Sequence, residues 1–236
     1  MLAIAAVVVA VAGIVRGFSG FGSALIMSPA LSLLFGPPAA VATMTLMEVP
    51  TLVQLLPDAW RHGDRRSVVP LGIAAVTMVP AGAWLLVHLD ELVMRRAIGL
   101  LVLGFAAVLG VGWRYRGKVP LPLTLGVGAS AGLLSGAMGT PGPPIILFYL
   151  SGPADARVAR GSMIGFFAFT TATALVTYGW YDLYTEDVLW RAAGLLPAFA
   201  GGIWLGRRMF GHVSEVAFRR AALALLALIG VATVVV

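Results

Sequence analysis

The chain contains no cysteine. That excludes a disulfide framework, a thiolate nucleophile and any Cys-ligated metal. Charge is scarce as well: Asp, Glu, Lys and Arg together make up 11% of the residues, about half the share of a soluble domain. No polar stretch between the apolar runs is longer than a short loop, which leaves no room for a soluble domain. A Walker-type GxxxxGK[ST] is missing, so the chain carries no ATPase of its own. His62, His88 and His212 fall in loops or at span ends. With no HExxH and no carboxylate cluster inside an apolar segment, a membrane-embedded metalloenzyme is disfavoured. No cofactor and no metal site are expected, and the chain is not read as an enzyme. Ala10-Val11-Ala12 resembles a signal-peptide cleavage site, but no basic region precedes the apolar run, so the segment is read as retained.

What is present is hydrophobic: 60% of 236 residues, with a mean hydropathy of +0.97. Apolar runs recur along the whole length, at about 2–35, 39–56, 68–87, 95–112, 121–151, 158–178, 188–205 and 217–236, which is the pattern of a polytopic helical membrane protein. The net charge of +6 lies beside the spans, where it sets orientation; it is not a nucleic-acid footprint. Lipid is the expected surroundings, and no nucleic-acid partner is expected. A homodimer is compatible with the sequence, though nothing in it specifies one.

Two runs have unusual lengths. Residues 2–35 and 121–151 are each about 45–50 Å long as a helix, against roughly 30 Å of hydrocarbon. Glycines interrupt both, at Gly17, Gly20 and Gly22 in the first and at Gly136, Gly139 and Gly142 in the second, the latter joined by Pro141, Pro143 and Pro144. These interruptions belong to an internal repeat. "GFSGFGS" (17–23) lies over "GAMGTPG" (136–142), "FGPPAA" (35–40) over "SGPADA" (151–156), "VPAGAW" (79–84) over "LPAFAGGIW" (196–204), and "MRRAIGLLVL" (94–103) over "FRRAALALLAL" (218–228). The whole chain thus reads as one transporter-like domain, with repeat 1 at about 1–115 and repeat 2 at about 116–236.

Charge suggests the topology. If each long segment is a re-entrant hairpin followed by three spans, twelve basic residues share one face: Arg61, Arg65, Arg66, Arg114, Arg116, Lys118, Arg157, Arg160, Arg207, Arg208, Arg219 and Arg220. Arg95, Arg96 and Arg191 mark the other, beside Asp90, Glu91, Asp182, Glu186 and Asp187. The positive-inside rule favours this arrangement over eight plain crossings, puts both termini outside the cytoplasm, and inverts the second half.

A break at membrane depth exposes backbone groups that protein, water or a ligand must satisfy. A half-helix starting there directs N–H groups and its positive dipole end at an anion. Ser19 and Ser23 flank the first break; Thr140 followed by Pro141 reads as N-cap and first helical residue at the second. The competing reading is that the glycines only allow close helix packing. Arg16 sits at the first break, where a charge costs about 2.5–3.5 kcal/mol at mid-membrane and needs a partner or a task. Glu48 is the one carboxylate near the centre of a span. Either Arg16 holds the anion while Glu48 couples a proton, or the two form a static pair. Thr43, Thr45, Gln54, Thr170, Thr171 and Thr173 are weaker candidates, because span hydroxyls usually bond their own helix. Trp60, Trp113, Trp180, Tyr181 and Tyr184 read as interfacial aromatics. Pro50, Pro80 and Pro197 read as kinks.

The stretches "GFSGFGSALIMSPAL" and "GLLSGAMGTPGPPIILFYL" resemble the two half-signatures of the TauE/SafE family of sulfite and organosulfonate exporters, and the resemblance covers essentially the full chain. Members often have a further glycine after "GFG"; here Ser23 follows, and the second half carries "TPGPP". The resemblance implies a multi-pass protein of a bacterial inner membrane. It further implies transport of a small anion, sulfite or a small organosulfonate first; two half-helix starts meeting from opposite sides would put its site at the midplane between the two broken hairpins, and the missing Walker motif makes the transport secondary. Arg16, Gly17, Ser19, Gly20, Gly22, Ser23, Gly136, Gly139, Thr140 and Gly142 are the candidate substrate contacts and Glu48 the candidate coupling residue. Transport of a small carboxylate, a membrane enzyme and a non-transporting scaffold are the alternatives.

Overall fold

The structure is a computed structural model that describes residues 1–19, 22–111, 120–151, 156–209 and 215–235. The described residues form ten α-helices and no strand. The chain order is α1 (Leu2–Ser19), α2 (Ser23–Phe35), α3 (Pro37–His62), α4 (Arg65–His88), α5 (Glu91–Val111), α6 (Leu121–Met138), α7 (Gly142–Ser151), α8 (Ala156–Trp180), α9 (Glu186–Met209) and α10 (Glu215–Val235). Both long apolar runs are therefore two helices each, split where the glycines stand.

The helices extend past the apolar runs because polar residues cap them. The Asp64 carboxylate accepts the Arg66 N–H at 3.1 Å at the start of α4, and Asp90 accepts the Leu92 N–H at 2.9 Å at the start of α5. Acidic first turns on α5 and α9 and basic last turns on α3 and α9 match the helix dipole.

Among the described residues, five stretches are long and apolar enough to cross a membrane: Pro37–Pro57, Arg65–His88, Leu121–Met138, Val158–Trp180 and Glu186–Met209. Helix α6 is one of them. Its 18 residues measure about 27 Å. Large apolar side chains face outward, as with Val7, Ile73, Leu100, Val176 and Leu228, and so do Trp60 and Trp180. A membrane solvates such a surface; water does not. Trp113 lies outside the described residues.

The chain forms two compact units that cut across the two sequence halves. One comprises Met1–Met47, Leu89–Trp113 and Tyr184–Val236, the other Glu48–His88 and Arg114–Leu183. In the first unit α1 packs along α9. A Cβ on Gly13 would meet the Phe199 carbonyl, and one on Gly17 the Ile203 carbonyl and, at 3.0 Å, the Arg207 nitrogen. Gly202 and Gly206 return the fit against Ala10 and Ile14. Contacts rise together along both helices, so they run parallel. In the second unit α6 packs along α4 in the same way: Gly128 on Leu71, Gly132 on Ala75, Gly136 on Val79 and Ala83, and Gly82 on Leu133. These close approaches need residues without a Cβ. Within the first unit, Gly99 approaches Gly230 and Thr233 while Gly230 approaches Leu103, so α5 and α10 run antiparallel.

Candidate functional site

At the first break, Arg16 occupies the last turn of α1, where a cation complements the carbonyl end of the helix. Its guanidinium Nη1 donates across the break to Ser23 Oγ at 3.1 Å and lies 6.0 Å from the centre of the Phe199 ring. Ser23 is the first residue of α2 and is 1% exposed. Gly22 precedes it in the left-handed conformation, φ 94°, with no side-chain cap on the helix. Only a residue without a Cβ takes that φ cheaply. A guanidinium is therefore held beside the positive end of a half-helix with no acidic residue in its first turn. Two positive ends brought together favour an anion between them. Ser19 ends α1, while Gly20 lies outside the described residues.

At the second break, Gly139 ends α6 with φ 64°. Its N–H reaches the Ser135 carbonyl at 2.9 Å, and the Thr140 N–H the Leu134 carbonyl at 3.4 Å. The expected cap at Thr140 does not form. Helix α7 starts at Gly142, and Thr140 Oγ1 is buried without a hydrogen-bond partner. Because α7 starts only at Gly142, Thr140 stands one residue ahead of the capping position, and Pro143 removes one of the two N–H groups that its hydroxyl would accept from there. Gly142 is half-buried, and a Cβ there would meet Ile146 Cδ1 at 3.3 Å.

Two candidate glycines have a packing role. Gly17 and Gly136 lie inside helices, against backbone of α9 and α4, as the close-packing reading expects. Both breaks also lie away from the middle of the neighbouring helix. Gly17 sits beside Ile203 and Arg207 of α9, which ends at Met209, and Gly136 beside Val79 and Ala83 of α4, which ends at His88.

Glu48 lies within α3, half-buried, and is where the second compact unit begins. The weaker candidates divide. Thr45, Thr170 and Thr173 donate to carbonyls of Val41, Phe167 and Phe169 on their own helices, as span hydroxyls do. Thr43 is fully buried with its Oγ1 unpartnered. Tyr178 escapes sequence reasoning altogether. It is fully buried, and its hydroxyl donates to the carbonyls of Ser135 at 3.0 Å and Gly136 at 2.8 Å, tying α8 to the end of α6. A lone tyrosine in an apolar run gives no signal of that partner. Among the described residues no group of three or more His, Cys, Asp or Glu is placed to hold a metal.

The family model for the sulfite exporter TauE/SafE family matches residues 5–233. The chain is 29% identical over 222 residues to a probable sulfite/organosulfonate exporter TauE of Cupriavidus necator, an alignment that covers 90% of this chain and 85% of the relative. No solved structure matches. A match over nearly the whole length, to a family of exporters rather than enzymes, makes this a multi-pass bacterial membrane protein, and the chain belongs to the TauE/SafE sulfite exporter family.

Proposed function

We propose that the chain is a secondary transporter of a small sulfur oxyanion, sulfite or a small organosulfonate, held at the first break. The observation that carries this reading is the Arg16 guanidinium joined to Ser23 at the uncapped start of α2. A sulfonate or sulfite oxygen replaces the Ser23 hydroxyl as the arginine's acceptor and takes the first-turn N–H groups of α2 as further donors. Gly22, with no side chain, leaves the start of α2 open to the anion. The substrate named for the Cupriavidus necator relative has this chemistry. Glu48 is the coupling carboxylate, taking a proton as the anion binds or leaves.

The two halves are an inverted repeat. Support comes from α5 and α10, which carry the matching "MRRAIGLLVL" and "FRRAALALLAL" stretches and run antiparallel. Repeat mates related by an axis along the membrane normal run parallel, so antiparallel mates point to an axis in the membrane plane. The parallel pairs α1 with α9 and α6 with α4 are each other's repeat images. Each broken segment enters and leaves on one face.

Melting of the purified protein across an anion panel tests the reading. Sulfite or a small sulfonate raises the melting temperature in a saturable way, and Arg16→Gln removes that rise. Stabilisation by short carboxylates alone reassigns the substrate. Equal stabilisation of wild type and Arg16→Gln overturns the site.

A further inference from the structure

The second break has a different chemistry from the first, and we infer that it binds a monovalent cation, sodium in size and charge. Aligning Gly17 with Gly136 puts Ser135 where the first half has Arg16, Gly142 where it has Ser23, and Pro143 and Pro144 where it has Ala24 and Leu25. The second half has thus lost the guanidinium, the serine hydroxyl and two of the first-turn N–H donors that suit an anion. Its prolines also withdraw N–H groups from the carbonyls that precede them. In a continuous helix the carbonyls of Ala137, Gly139 and Thr140 accept from the N–H four residues on. Those residues are Pro141, Pro143 and Pro144, none of which has an N–H.

An independent observation marks the same place. Thr140 stands where the first half has Phe21. It is 1% exposed, and its Oγ1 has no hydrogen-bond partner. A buried hydroxyl left unsatisfied costs about 1–3 kcal/mol. A hydroxyl oxygen grouped with backbone carbonyls at the negative end of α6 is a hard oxygen donor set, the kind that coordinates Na⁺ at broken transporter helices. Tyr178 holds the Ser135 and Gly136 carbonyls in place, so the end of α6 is fixed before the ion arrives. No carboxylate belongs to this donor set, which suits one positive charge better than two. That the ion is coupled to anion movement rests on the transport reading above; the site itself does not.

The test is melting of the detergent-purified full chain in sodium, potassium or choline chloride at equal ionic strength, because a ligand that binds only the folded state raises the melting temperature with its concentration. Saturable stabilisation by sodium over choline is expected. Thr140→Val raises the half-saturating sodium concentration by about tenfold or more, the scale of losing a metal-site contact, while Thr140→Ser keeps the wild-type response. Pro143→Ala, which restores a backbone N–H at the break, weakens sodium binding and decides the matter if Thr140→Val does not fold. Arg16→Gln retains the sodium response even where it loses the anion response, so failure of the two readings is distinguishable. Equal melting in sodium and choline overturns the proposal. So does an undiminished sodium response in both Thr140→Val and Pro143→Ala, or loss of sulfite stabilisation alone in Thr140→Val, which assigns the hydroxyl to the anion.

Discussion

Arg16 shows what a single residue discloses in sequence and what it withholds. A charge inside an apolar run is conspicuous because of its cost, so its importance is legible at once. Its partner Ser23 is legible for a different reason, standing beside a glycine break. Thr140 is the opposite case: the sequence reading of Thr-Pro as a helix start is sound for most helices, but here the helix begins two residues later, at Gly142. Tyr184 carries a prediction of its own. It lies in the turn between α8 and α9, its hydroxyl is buried without a partner, and burial pushes its pKa up from 10.0 to about 12. The folded form then holds its proton at pH values where the unfolded chain has released it. Stability is unaffected below the unfolded pKa and falls as pH rises from there toward the folded value. Melting temperature measured through this alkaline window declines in the wild type, and Tyr184→Phe flattens the decline while costing nothing at neutral pH. An identical decline in both proteins assigns the effect to other groups.

At the level of elements, the number and order of helices follow from the apolar runs and their glycine breaks, while their ends extend past the runs through caps such as Asp64 and Asp90. Which helices pair is not legible from hydropathy, because an apolar face against lipid and one against protein look alike. The glycine spacing holds the missing information. Gly13 and Gly17 on α1 fit Gly202 and Gly206 on α9, and Gly128, Gly132 and Gly136 on α6 fit α4. Gly132→Val drives a side chain into the Ala75 carbonyl. It is expected to lower stability by about 1–3 kcal/mol or more. Gly126→Ala on the same helix meets nothing within 4 Å and is expected to be neutral. Thermal unfolding of the two variants in one detergent checks the contrast, and equal loss in both sets the pairing aside.

Across the whole molecule, the sequence halves and the compact units divide the chain differently, because α1 packs with α9 and α6 with α4. A repeat is found by aligning letters, whereas a unit is found only by knowing which faces meet. The charge asymmetry still makes the topology testable in a chain without cysteine. Arg66 and Asp182 are both exposed, at the start of α4 and just beyond the end of α8. A membrane-impermeant maleimide applied to intact cells is expected to label Asp182→Cys and spare Arg66→Cys; the reverse pattern turns the protein over in the membrane. The central claim is that the first break carries an anion across the membrane through Arg16. Sulfite flux in proteoliposomes tests it most directly. Wild type is expected to give saturable flux, Arg16→Gln to lose about tenfold or more, as removal of a charged hydrogen-bond partner implies, with its melting temperature unchanged. Glu48→Gln is expected to keep the flux and flatten its pH dependence. Flux through Arg16→Gln equal to wild type, or wild-type flux no greater than that of empty liposomes, contradicts the account.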